Sequence, residues 1–445
     1  MKKALEPLIL GWRVPELRAR MLFVLSAIVL YVIVLHIPIP NVNHEALEKL
    51  FNSSAGILDF IDMFGGGALR KLSILALGIM PYITSSIIFQ ILTIAFPYFK
   101  ELQQEGEYGR RKMAQWTRWA AIGLTLIQAV IATRAFQSPT FAILPTTMTA
   151  FFQSVLALTA GTMFLLWLGE QITARGIGNG ISFIIFAGIV ARLPQSIGEY
   201  IATAPFQLFL LLLLFVATIY AVITVVQGER RIPVRYAPRQ AGQRMVQGQR
   251  SYLPLKLAAA NVIPIIFAVS IVLFPGQIAT WYLKAHSTDT TKSGLVTFAE
   301  FIQNQFNPHA WVASICYAAL VMAFTYFYTA VIFDVRDLSD NLKRYGGQIQ
   351  GYAPGRPTEQ YINKVLTRIT FVGGVFLSTL ALMQWWSPTL LQLPQTSSSG
   401  GSLLVGGTSL LIVVGVALEI MQNLDQQLKM RQYEGLAKGM GKGRL

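Results

Sequence analysis

Charge is what this 445-residue chain has least of. Asp, Glu, Lys and Arg make up 13% of it, against roughly 25% in ordinary soluble domains. The runs 257–283, 301–333 and 369–418 contain none of the four. Carriers coupled to protons or ions keep ionisable groups within their spans because those groups perform the coupling, and no mid-span position here offers one. The single cysteine, Cys316, excludes an internal disulfide. The four histidines, His36, His44, His286 and His309, form no H-E-x-x-H pair, and no G-x-x-x-x-G-K-[ST] loop is present. Neither zinc hydrolysis nor ATP hydrolysis is therefore legible. No catalytic residue, metal or cofactor is expected, so whatever moves through or beside the chain is driven from outside it.

What is abundant is apolar surface, at 53% of residues. Counting segments near the 20 apolar residues that cross roughly 30 Å of hydrocarbon gives ten spans. They are 21–35, 72–99, 119–133, 149–168, 181–193, 207–226, 257–275, 310–333, 369–386 and 403–421. The expected fold is an all-α polytopic membrane protein. "ILDFIDMFGGGALRKL", residues 57–72, is too short and too charged to cross. It reads as a re-entrant or interfacial piece hinged at Gly65, Gly66 and Gly67. "MKKALEPLILGWRVPELRAR" has only a short apolar piece before Pro15 and reads as an interfacial helix, not a cleavable signal.

Orientation follows from the basic residues. On this span assignment 29 of the 36 Lys and Arg fall on the side that holds both termini, which the positive-inside rule makes cytoplasmic. The division is then an N-terminal segment 1–20, a half 21–193, a second half 207–421 carrying cytoplasmic loops 228–256 and 334–368, and a tail 422–445. The expected location is a membrane that the chain crosses several times, with the large loops in the cytoplasm. Loop 228–256 holds seven basic residues against Glu229 alone, spaced among Gly and Gln, as suits an exposed arm that contacts anions.

Five spans per half would leave the halves in opposite orientation. Proline marks both second spans, as Pro81 in "GIMPYITSS" and Pro264 in "NVIPIIFAVS", and glycine opens both fifth spans, in "GIGNGISFII" and "GGTSLLIVV". These pairings point to an inverted repeat with the functional site at its interface. In span 2, Ile79, Ile83 and Ile87 form one i, i+4 ridge, and Tyr82, Ser86 and Gln90 form its neighbour. Aliphatic residues recur on the other marked helices as Ile181, Ile185, Ile266 and Leu411 or Ile412. Converging, they would make a dry constriction that gates by dewetting; facing lipid or packing, they would do nothing of the kind. Ser86 and Gln90 also read as interhelical glue worth about 0.6 kcal/mol each.

"LGIMPYI", "EGEYGRRKMAQWTRW", "GIGNGIS", "FAGIV", "ERRIPVRYA", "VIPIIFA", "FTYFYTA" and "GGTSLLIVVGVALE" together resemble the SecY family, the protein-conducting channel subunits of the bacterial Sec translocon. The resemblance spans essentially the whole chain. It implies a central pore between two inverted five-helix halves, with a ring at Ile79, Ile83, Ile181, Ile185, Ile266 and Ile412. It implies a plug on Ile57, Leu58, Phe60, Ile61, Met63, Phe64, Gly65, Gly66 and Gly67. A lateral gate would lie between spans 2, 3, 7 and 8, with Ser86, Gln90, Gln128 and Asn261 as polar contacts.

Implied partners are SecE and SecG, the SecA motor ATPase, the ribosome with its RNA, translocating polypeptides with their signal peptides, and membrane lipid. Arg230, Arg231, Arg235, Arg239, Arg244 and Arg356 would meet the cytoplasmic partners. Two departures stand out. Gln243 and Arg244 occupy the place of a paired arginine, and "GYAPG" puts Ala353 where the family has an arginine, with Arg356 three residues on. From the residues alone, a carrier for a neutral solute and a non-conducting insertase that exposes a greasy groove remain the alternatives.

Overall fold

The computed structural model describes residues 9–53, 62, 65–138, 142–203, 205–236, 239–241, 244–246, 250–258, 262–285, 294–306, 310–390 and 407–442. In order the elements are α1 Pro15–Leu35, α2 His44–Ser53, α3 Met80–Ala95, α4 Pro97–Gln104, α5 Glu107–Gln137, α6 Met148–Arg175, α7 Gly180–Thr203 and α8 Pro205–Gln227. There follow β1 Glu229–Tyr236, β2 Arg239–Ala241, β3 Arg244–Val246, β4 Arg250–Lys256, α9 Ile263–Ala285, α10 Gly294–Gln305, α11 Trp311–Ile332, α12 Val335–Arg344, β5 Gly347–Ile349, α13 Arg356–Leu390 and α14 Gly407–Lys442.

A helix lies at each of the ten expected positions. Among the described residues seven helices are long and apolar enough to cross a membrane, or eight if one bent pair counts as a single span. That pair is α3 and α4, which meet at 100° at Phe96. Pro97 at the start of α4 causes the break, since the residue before a proline is driven to extended backbone and Phe96 has φ −121° and ψ 123°.

The second span needs correction. Residues 72–78, expected to be helical, lie in turns, with Leu72 at φ 40° and Gly78 at φ 60°. Pro81 is not a break within a helix; it sits in the first turn of α3, where its missing N–H costs no hydrogen bond. Pro264 takes the same place in α9. Glycine likewise opens α7 and α14. At Gly180 the reason is steric, because a Cβ there would collide with the Gly169 carbonyl oxygen of α6. The tight turn is closed by the Gly180 N–H, which donates to Thr173 Oγ1 at 2.9 Å.

The chain divides into two compact units, one of residues 1–208, 394–403 and 412–445, the other of 209–393 and 404–411. In the first, α3 packs on α5, α5 on α6 and α6 on α7, while α1 lies against α6 and α7. At one end a core of Ile39, Leu47, Phe51, Leu72, Ala129, Ile143 and Leu158 gathers the connecting segments. In the second, α9 packs on α11 and α11 on α13, with α10 against α9. Second, third and fourth spans are thus neighbours in sequence order within each unit.

The loop 228–256 is not a plain arm. It folds as a sheet of order β4-β1-β5, with β2 and β3 forming a small hairpin of their own. The strands follow from alternation: along β1, Ile232 and Val234 are buried while Arg231, Pro233 and Arg235 are exposed. Ile232, Val234, Leu255, Leu342, Ile349, Ile362 and Leu366 close a small core beneath the sheet. This core ties loop 228–256 to loop 334–368.

Candidate functional site

The segment that leads into α3 is held from two sides. On one, it pairs with the chain leaving α1: the Ile39 N–H donates to the Leu72 carbonyl at 3.0 Å, and the Ile74 N–H to the Ile37 carbonyl at 3.1 Å. On the other, it abuts α7. Gly66 has φ +69°, and a Cβ on it would stand 2.5 Å from Tyr31 Oη and 2.7 Å from Gly188 Cα. Only glycine permits that backbone and that closeness. The Tyr31 hydroxyl donates to the Gly65 carbonyl at 3.4 Å.

Asp62 is 1% exposed and organises the turn that follows it. Its Oδ1 accepts from the Leu69 N–H at 2.7 Å and the Arg70 N–H at 3.3 Å. Its backbone carbonyl accepts from the N–H groups of Gly65 and Gly67, each at 3.1 Å. Its Oδ2 meets the Arg192 guanidinium of α7 at 3.1 Å, with both side chains withdrawn from solvent. Burial raises the pKa of this carboxyl, and Arg192 with the two N–H donors pulls against that rise. Arg192 lies at the end of an apolar run, and nothing local in the sequence marked its partner. Of the expected plug residues, Ile57, Leu58, Phe60, Ile61, Met63 and Phe64 lie outside the described residues; Gly65, Gly66 and Gly67 are in the turn just described.

The aliphatic positions fall as follows. Ile79 is the residue before the first turn of α3 and is 2% exposed; Ile83 is one turn on and half-buried. Ile181 and Ile185 stand on one face of α7, Ile185 buried and Ile181 half-buried against Gly169 of α6. Ile412 is buried on α14. These five belong to the first unit, and Ile266, buried on α9, to the second.

Among the polar positions, Gln90 Nε2 donates to Ser86 Oγ at 3.3 Å, so the two are bonded to each other along α3. Gln128 is half-buried on α5, which packs against α3. Asn261 lies outside the described residues. A further charge pair is interhelical: Arg118 of α5 and Glu170 of α6 form a salt bridge, inside helices that run well beyond their apolar windows.

On the cytoplasmic-loop sheet, Arg231 and Arg235 share the exposed face of β1. The register sets Glu229 opposite Lys256, Pro233 opposite Tyr252, and Arg235 opposite both Arg250 and Gln348. Lys256 and Tyr252 are exposed, and the Arg231 guanidinium lies 4.9 Å from the centroid of the Tyr252 ring. The result is a mostly basic face with an aromatic on it, on which Arg231 Nε donates to Glu229 Oε1 at 2.6 Å. Sequence reasoning chose Arg231 and Arg235 but missed Lys256 and Tyr252, which the pairing register supplies. Arg230 is exposed at the start of β1, Arg239 and Arg244 belong to β2 and β3, and Arg356 is exposed as the first residue of α13.

Comparison with known proteins bears on the fold and the family. The model of the SecY family matches residues 73–421. The protein translocase subunit SecY of Thermotoga maritima is 42% identical over 450 residues, covering 98% of each chain. A solved structure of a protein-conducting channel superposes with a TM-score of 0.60 at 15% identity, covering 92% of both chains. Canine Sec61, in a ribosome–channel complex from the endoplasmic reticulum, superposes with a TM-score of 0.58 at 15% identity and 92% coverage of each. By fold and by near full-length sequence identity, this chain is a multi-span membrane protein that belongs to the SecY family.

Proposed function

We propose that this chain is the channel subunit of a protein translocase of the cytoplasmic membrane. It passes unfolded polypeptides across the bilayer and releases hydrophobic segments sideways into lipid. The observation that carries the reading is the 42% identity, over nearly the full length of both chains, to a protein translocase subunit.

The physical account begins with Ile79, Ile83, Ile181, Ile185, Ile266 and Ile412 as a ring at the waist of the pore. Branched aliphatic side chains form no hydrogen bonds, so a narrow collar of them expels water and blocks ions. The same collar can close around an extended chain of almost any sequence without offering it a strong site. Segments 57–67 act as the plug. Ser86, Gln90, Gln128 and Asn261 line the seam through which a client leaves sideways, gaining about 0.3 to 0.6 kcal/mol per Leu, Ile, Phe or Val at mid-membrane. A seam of neutral hydrogen bonds, each worth little in a membrane, can part for every client.

Both termini and the three-stranded sheet lie in the cytoplasm on this reading. The exposed arginines of β1 meet ribosomal RNA phosphates by releasing counterions, or an acidic surface of SecA. The canine relative's ribosome-bound state supports the first. SecE and SecG are the expected membrane partners. The division at 193–207 into two inverted halves, with tail 422–445, completes the picture.

Crosslinking tests it. A polypeptide arrested in transit should crosslink to probes at positions 83, 185, 266 and 412; contacts at 83 and 266 without 185 and 412 would indicate an open groove and overturn the channel. In vesicles, Ile83→Asn and Ile185→Asn should leak ions at rest, and membranes that stay tight with both changes would argue against a sealing ring.

A further inference from the structure

We infer that Asp62 and Arg192 are positioning residues that latch the segment entering α3 onto α7, and that this ion pair sets how readily the closed state opens. The inference rests on the channel reading above and names a control within it.

Three observations converge on the same place. Asp62 is almost wholly buried and its carboxylate is shared between the following turn and another helix: Oδ1 takes the Leu69 and Arg70 N–H groups, while Oδ2 faces the Arg192 guanidinium at 3.1 Å. Arg192 also covers the turn, since a Cβ on Gly67 would lie 3.5 Å from its Cδ. Beside this pair the backbones touch, with Gly66 against Gly188 and Tyr31 Oη. Glycine against glycine is a close fit with little to hold it, because it buries no side chain. The ionic contact is what gives the interface its strength and its directionality.

A buried pair differs from an apolar contact in how it comes apart. Removing one partner leaves the other charge stranded in a dry site, so the docked state is penalised strongly; removing both leaves little to penalise. The segment is thus held by an interaction that water abolishes. Once hydrated, Asp62 and Arg192 each find solvent, and docking loses its main contribution. Such a contact makes a two-position switch, not a soft spring.

The test uses the full chain reconstituted with its small membrane subunits in vesicles, reading resting ion flux and passage of a polypeptide. Asp62→Asn and Arg192→Gln should each raise resting flux about tenfold, the shift expected from losing a coupled pair. The double variant should leak no more than the worse single one. Single variants as tight as the parent, or a double variant whose leak multiplies the two singles, would overturn the latch.

Should the neutral variants fail to assemble, Asp62→Glu and Arg192→Lys keep both charges while lengthening one side chain and shortening the other. Each alone should leak and the combination should approach the parent; independent effects would overturn the inference. Ile185→Asn serves as the control. If it leaks while all latch variants stay tight, only the latch fails. If it stays tight and the parent passes no polypeptide, the channel reading itself falls.

Discussion

Two residues without side chains show how closely the first unit is fitted. Gly66 carries a positive φ and lies where a methyl group would meet both Tyr31 Oη and the backbone of Gly188. Gly66→Ala combines steric overlap with a left-handed backbone that costs an L residue about 1 to 2 kcal/mol. It should lift the 65–70 turn away from α7, read as faster amide hydrogen exchange at Leu69 and Arg70, whose N–H groups bond Asp62. Unchanged protection would mean that the turn does not depend on its seat against α7. In the second unit Asp334 caps α12, accepting from the Asp337 N–H at 3.2 Å. Asp334→Ala should cost about 1 kcal/mol of local helix stability, seen as fraying of α12 by exchange while α13 is unaffected.

At the scale of elements, the three-stranded sheet separates packing from recognition along one strand. Ile232 and Val234 point into the small core, and Arg231 and Arg235 point out. Ile232→Ala should destabilise the sheet by about 2 to 4 kcal/mol, loosening β1, β4 and β5 together in hydrogen exchange. Arg231→Glu with Arg235→Glu should leave that exchange unchanged and weaken ribosome binding. The salt dependence of binding should flatten as well, because fewer phosphates are neutralised. Equal binding by the parent and the double variant across salt concentrations would remove this face from the docking surface. β5 joins the sheet over only three residues, and its register sets Gln348 of loop 334–368 opposite Arg235 of β1.

At the scale of the whole molecule, the prediction is topological. With Cys316 replaced by serine, Ser251→Cys on β4 should react with an impermeant thiol reagent only from the cytoplasmic side, and Glu300→Cys on α10 only from the other. Both positions are exposed. Labelling of both from the same face would contradict the positive-inside assignment and with it the opposed orientation of the two halves. Within each unit the second, third and fourth spans pack in sequence order, which is what a duplicated five-helix plan requires of each half by itself.

Hydropathy, basic-residue bias and the backbone limits of proline and glycine are local properties. The sequence by itself therefore determined the solvent, a helix at each of the ten expected positions and the sidedness expected of the loops. It erred at 72–78, where apolarity alone resembled a helix although Gly78 and the pairing of 37–39 with 72–74 hold the chain in turns. Only the tertiary structure decided that Asp62 meets Arg192, that Arg118 meets Glu170, and that Lys256 and Tyr252 stand across β1 from Glu229 and Pro233. Those partners are distant in the chain, and strand register or helix packing brings them together. A charge reveals its partner only once the surrounding water has been excluded and the geometry is set.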